Sequence, residues 1–206
     1  MAWRGPEYPN EFPTLGYLVA DWIEEMCVVP DGDAAGSPFL LTDEQLNFIL
    51  WHYRLRVDAT TKGKPRSAFV FRRSQLVRPQ KWGKGPLSAA ILCAEAEGPV
   101  VFDGWDAAGE PVGRPWSTPL VQTAAASEDQ TDNVWSALVP MIELGPLADV
   151  MPDTGLGRIN LRAGGKIEPV TSAAISRLGA RITFGLHDEP HSWTKQNGGV
   201  KLADTQ

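Results

Sequence analysis

Cysteine, histidine and long apolar runs are all scarce in this sequence. Of 206 residues only 2 are cysteine, Cys27 and Cys93, and neither has a spacing that suggests a metal site. Two thiols exclude a disulfide-built scaffold and fit a reducing, cytoplasmic compartment. No apolar stretch approaches the ~20 residues of a membrane span, and the polar start Met1-Ala2-Trp3-Arg4-Gly5 lacks the apolar segment of a signal peptide. Positive charge is not in excess either. The net charge of −6 argues against broad adhesion to nucleic acid, though not against a grip by a few residues. What remains is ordinary for a globular domain, with 43% hydrophobic and 21% charged residues in a length that fills one core or one core plus a small appendage.

One stretch organises the rest: Arg78-Pro79-Gln80-Lys81-Trp82-Gly83-Lys84-Gly85-Pro86. It follows Ser74-Gln75-Leu76-Val77, which reads as a strand, and precedes a helix-like segment from Leu87 to Ala96. Strand, short Gly-Lys loop and helix is the layout of a phosphate-binding loop. Gly83 lets the backbone turn close to a triphosphate, Lys84 brings a cation to its outer phosphates, and the free amides of the helix start add donors. The match to G-x-x-x-x-G-K-[ST] is incomplete, because Arg78 stands for the first Gly and Gly85 for the Mg²⁺-binding hydroxyl. Ser88, about one helical turn on, is the nearest substitute.

A second motif lies about 100 residues later. Arg181-Ile182-Thr183-Phe184-Gly185-Leu186-His187-Asp188-Glu189-Pro190 is a short β-run with two acids at its carboxyl end. Ligands of a parallel α/β sheet sit beyond that end of the strands. Asp188 there suits Mg²⁺, directly or through water, and Glu189 suits activation of the attacking water.

The Arg-x-x-x-x-Gly-Lys loop, followed by an apolar run into Asp188-Glu189-Pro190-His191, resembles the ATPase domain of the large terminase subunit, the DNA-packaging motor of tailed phages. Arg78 in place of Gly is typical of that family. The resemblance covers residue 40 or so to the end. It implies a P-loop NTPase fold of RecA/ASCE type, with a mostly parallel sheet flanked by helices and an N-terminal helical appendage. On that basis residues 1–38 form an arm and helix, and 39–206 an ATPase domain. The implied ligands are ATP and Mg²⁺, and the implied activity is hydrolysis that drives DNA into a procapsid. The implied partners are double-stranded viral DNA, portal protein, the small terminase subunit and sister copies in a ring. Large terminases continue into a nuclease domain, so the resemblance also implies an incomplete chain. A nucleotide-binding fragment without turnover is therefore an open alternative.

The remaining elements follow from periodicity. Leu15, Leu18, Val19, Trp22, Ile23 and Met26 predict a helix from Leu15 to Val29. Thr42 and Gln45 form a capping-box spacing, so a helix starts there. Gln45 has a second reading, since its amide can pair with an adenine edge, as terminases use a Gln upstream of the loop. Ser67 to Phe71 is strand-like, Phe102 to Pro115 reads as a hairpin or loop, and Trp116 to Ala126 holds a buried strand. Ser127 and Gln130 repeat the capping box before a helix to about Leu144. Arg158–Arg162 and Lys166–Val170 flank Gly164-Gly165 as a hairpin. Arg177 and Arg181 are either surface arginines or candidates to reach a neighbouring subunit's γ-phosphate.

Two competing chemistries were weighed. His187 and His191 stand at i, i+4 like zinc ligands, but Pro190 between them breaks the helix that such a pair needs. Asp188-Glu189-Pro190-His191 also spells the DExH box of superfamily 2 helicases. Those enzymes close two tandem domains on nucleotide, more than 206 residues supply.

Overall fold

The computed structural model describes residues 2–125, 128–155, 157–162, 164–171, 181–188 and 190. The first helix, α1 (Gly16–Met26), is shorter at both ends than its periodicity predicts. It stops because Val28, Val29 and Pro30 favour extended backbone, which Cys27 enters at φ −97° and ψ 148°. Helix α2 (Asp43–His52) starts at the predicted cap, with Thr42 Oγ1 accepting from Gln45 N and Gln45 Oε1 from Thr42 N. The two helices touch at Gly16, where a Cβ would stand 2.6 Å from Leu50 Cα. Only glycine permits that approach.

Two expected strands do not form. Residues Pro65–Ala68 make a 3₁₀ turn, and Phe69 keeps only an isolated bridge to Leu55. Residues 73–79, leading into the loop, belong to no strand or helix. Only Leu76 there packs on the core, Val77 is 70% exposed, and Pro79 has no N–H to give a ladder. Helix α3 (Lys84–Glu97) begins directly at the loop and is buried on nearly every side, its alanines allowing close packing.

The hairpin of β1 (Val101–Trp105) and β2 (Pro111–Arg114) forms as predicted. Then come β3 (Leu120–Ala125), α4 (Glu128–Glu143) and the short α5 (Leu147–Val150), followed by β4 (Asp153–Gly155), β5 (Arg158–Asn160), β6 (Lys166–Thr171) and β7 (Phe184–His187). The cap predicted at Ser127 and the connector with Arg177 lie outside the described residues.

The five-stranded sheet has the order β4-β5-β6-β3-β7. Its strand directions correct the expectation of a mostly parallel sheet. β3 runs parallel to β6 and β7, whereas β4–β5 and β5–β6 are antiparallel, so the sheet is mixed. The antiparallel part is the run β4-β5-β6, whose strands follow one another by short connections, the second being the Gly164-Gly165 hairpin. Central β3 is buried on both faces, from Val121 to Ala124. On one face Gln122 Nε2 donates to the buried Glu168 Oε1 across the β3–β6 register at 3.0 Å. Helices α3 and α4 pack on each other and on β3. Val19 and Ile23 of α1, Ile49 of α2, Leu92 of α3, Leu138 of α4 and Ile167 of β6 share one core. Cys27 and Cys93 are buried in it as free thiols. Among the described residues no helix is long and apolar enough to cross a membrane.

Candidate nucleotide-binding site

The loop turns on two left-handed residues, Lys81 at φ +63° and Gly83 at φ +95°. Left-handed backbone costs a non-glycine residue roughly 1–2 kcal/mol, and such strain collects at ligand sites. Gly83 is the N-cap of α3, and Lys84 its first residue. The amides of Lys84 and Gly85 therefore have no acceptor within the helix, and Pro86 has no N–H to offer. The Lys84 ammonium folds back into the loop and donates to the carbonyls of Arg78 at 2.7 Å and Pro79 at 3.0 Å.

The amino end of α2 closes the other side. Glu44 Oε2 accepts from Trp82 Nε1 at 3.0 Å and lies 3.4 Å from Arg78 Nε. The Arg78 guanidinium sits 5.4 Å from the Trp82 ring centroid. Gln45 carries its cap with Oε1, while its Nε2 is 3.7 Å from where a Cβ at Gly83 would stand. The cap thus leaves the amide nitrogen turned to the loop. Gln80 and Lys81 are exposed.

A buried polar hub fixes the far end of α3. Glu95, fully buried, accepts from Tyr53 Oη at 2.9 Å and from Arg66 Nη2 at 3.1 Å. The same Nη2 donates to the Thr183 carbonyl, just before β7. Burial pushes the Glu95 carboxyl above its usual range, against the pull of Arg66 and Tyr53. Burial and the Glu95 charge push the Tyr53 phenol up as well, and burial with Arg66 lowers His52 to about 4.

This hub orients the loop relative to the acids. Helix α3 packs on β7, and Arg66 ties Glu95 to the start of that strand. From Glu95 back to Lys84 is about 16 Å of helix, and from Thr183 forward to Asp188 about 16 Å of strand. Asp188 follows β7 directly, half-buried, its N–H donating to the Ala124 carbonyl at 3.1 Å. Glu189 and His191 lie outside the described residues, and Arg181 is exposed.

Sequence reasoning missed Glu44, Arg66, Tyr53 and Glu95. One signal was available for Glu95, a carboxylate inside the apolar run Ile91-Leu92-Cys93-Ala94 of a helix buried all round.

A mixed α/β domain with a Gly-Lys loop at a helix start and acids ending a parallel strand is thus the class of fold. No family model matches the chain. Over 92% of its length it takes the fold of the crystal structure of the HK97 bacteriophage large terminase, with a TM-score of 0.62 and 22% identity, covering 35% of that chain. The resemblance carried by the two motifs is therefore a resemblance of the whole fold. In sequence it is 34% identical over 214 aligned residues to the Gene 13 protein of Mycobacterium phage L5, across 93% of this chain and 35% of that one. The Gene 13 protein of Mycobacterium phage D29 is 32% identical, across 95% and 36%. The chain spans about a third of the length of these curated relatives.

Proposed function

We propose that the chain is the ATPase part of a phage large terminase, hydrolysing ATP to move viral DNA into a procapsid. The observation that carries this reading is the Lys84 ammonium, held on the Arg78 and Pro79 carbonyls beside the left-handed Gly83 that opens α3. In this reading the ammonium exchanges those two carbonyls for the oxygens of a triphosphate. The likeness to the HK97 large terminase supports the same conclusion.

In this reading Lys84 and Arg78 neutralise the β- and γ-phosphates, and the loop from Pro79 to Pro86 wraps them. The Asp188 carboxylate, with or without the Ser88 hydroxyl, is the donor set for Mg²⁺, which when bound offsets phosphate charge. Glu189 orients and deprotonates water for in-line attack, a reaction that needs positioning and charge stabilisation more than covalent chemistry. In the same reading Gln45 Nε2 donates to the base. Portal protein, the small terminase subunit, double-stranded DNA and sister copies in a ring are the partners this function requires.

The test is steady-state ATP hydrolysis. Lys84→Ala and Glu189→Gln each lower turnover by at least about a hundredfold, the scale of lost charge stabilisation or base catalysis. Glu189→Gln keeps ATP binding. Binding without turnover in the unmodified chain points to a nucleotide-binding piece, and no binding at all removes the reading.

A further inference from the structure

Glu44 is an acid that touches two of the loop's side chains. A single oxygen, Oε2, takes the Trp82 indole N–H at 3.0 Å and faces Arg78 Nε at 3.4 Å. Arg78 in turn covers the Trp82 ring. Glu44 thus holds Arg78 and Trp82 together, and its charge competes with a phosphate for the Arg78 guanidinium.

We infer that Glu44 is an internal stand-in for phosphate, which competes for Arg78 with an anion entering the loop. Resting on the reading of the loop as a triphosphate site, this makes Glu44 a specificity-determining residue. It sets a threshold that a polyphosphate overcomes and a singly charged anion does not. The contact is suited to exchange rather than permanence. The Glu44 and Arg78 side chains are 62% and 38% exposed, and an open pair of this kind is weak and screened by salt. A triphosphate offers more charge and bidentate geometry to the same guanidinium. Glu44 also lies in the first turn of α2, where the helix amides stabilise a carboxylate without its partner. Departure of Arg78 therefore does not strand it.

The exchange is readable in Trp82. ATP with Mg²⁺ shifts the tryptophan emission of the unmodified chain, and Trp82→Phe abolishes that shift. Calorimetric titration gives the decisive comparison. Glu44→Gln keeps an oxygen for the indole and removes the competing charge, so it binds ATP about two- to fivefold more tightly, the scale of an exposed ion pair. The gain shrinks in high salt. Inorganic phosphate gains at least as much. Asp43→Asn makes the same change of net charge one residue away, off the loop, and leaves affinity unchanged. Equal gains in both variants, or weaker binding by Glu44→Gln in a chain that binds ATP normally, overturn the inference alone. Failure of every form, Glu44→Gln included, to bind ATP overturns it together with the reading of the loop. Matching melting temperatures guard the comparison against a folding defect.

Discussion

The Arg66 guanidinium meets the fully buried Glu95 carboxylate at 3.1 Å, joining two residues 29 apart in sequence. With Tyr53 and the Thr183 carbonyl it ties α2, the 3₁₀ turn, α3 and β7 at one point. Removing one partner of a buried pair leaves an uncompensated charge, typically at about 3–5 kcal/mol. Arg66 is one-third exposed, so Arg66→Met sits at the low end or below. Urea unfolding should place Arg66→Met below Glu95→Gln in stability, since the amide leaves no buried charge. A reverse order refutes the hub as described.

The Glu95 carboxyl also gives a pH signature. Its folded pKa is raised by burial, so the fold binds its proton more tightly than the unfolded chain does. Its contribution is full below the unfolded carboxyl range and falls as pH rises through the raised folded value. Stability relative to Glu95→Gln should decline across that window. A difference independent of pH would show that the side chain titrates alike in both states.

His52 works in the opposite direction. Burial lowers its folded pKa from 6.5 to about 4, so the unfolded chain takes up the proton first. Stability contributed by neutral His52 is present above pH 6.5 and is lost as pH falls toward 4. His52→Phe should flatten this loss in unfolding curves between those pH values. The Ser74 hydroxyl, 2.7 Å from Nδ1, loses its partner in that variant, a cost that does not vary with pH.

Gln45 separates its two readings by comparison with Thr42. Either truncation to Ala should cost about 1 kcal/mol, the usual worth of a helix cap. Only Gln45→Ala should also narrow the preference for ATP over GTP in binding. Equal nucleotide preferences in the two variants would reduce Gln45 to a cap.

Gly16→Ala and Gly83→Ala probe two different constraints. The first drives a Cβ onto the Leu50 backbone, an overpacking clash of about 1–3 kcal/mol or more. It should lower the melting temperature. The second strains a residue at φ +95°, where a Cβ would meet only the Gln45 amide at 3.7 Å. It should cost about 1–2 kcal/mol of stability and in addition weaken ATP binding, which Gly16→Ala leaves unchanged in the folded chain.

Local patterns in the sequence carried the helices and hairpins, because each depends on residues a few positions apart. Thr42 with Gln45 marks a helix start, and Gly164-Gly165 marks a tight reversal, whatever surrounds them. Gly83-Lys84 likewise announced the loop. Strand direction was legible only at the Gly164-Gly165 hairpin, since alternation of polarity reads the same in either sense, and nothing marked β4 as a further strand antiparallel to β5. Ser74–Val77 carried enough apolar character to resemble a strand but only one core contact. The contacts that shape the site, Glu44 with Arg78 and Arg66 with Glu95, span 34 and 29 residues and exist only after folding.

Cys27 at the end of α1 and Cys93 within α3 are 1% and 0% exposed. A thiol reagent reaches neither until the first helix lifts from the third. Their labelling rate is thus a built-in clock for the opening of that seam. Run with and without ATP, it reports whether a ligand at the loop tightens the body of the domain as well as its mouth.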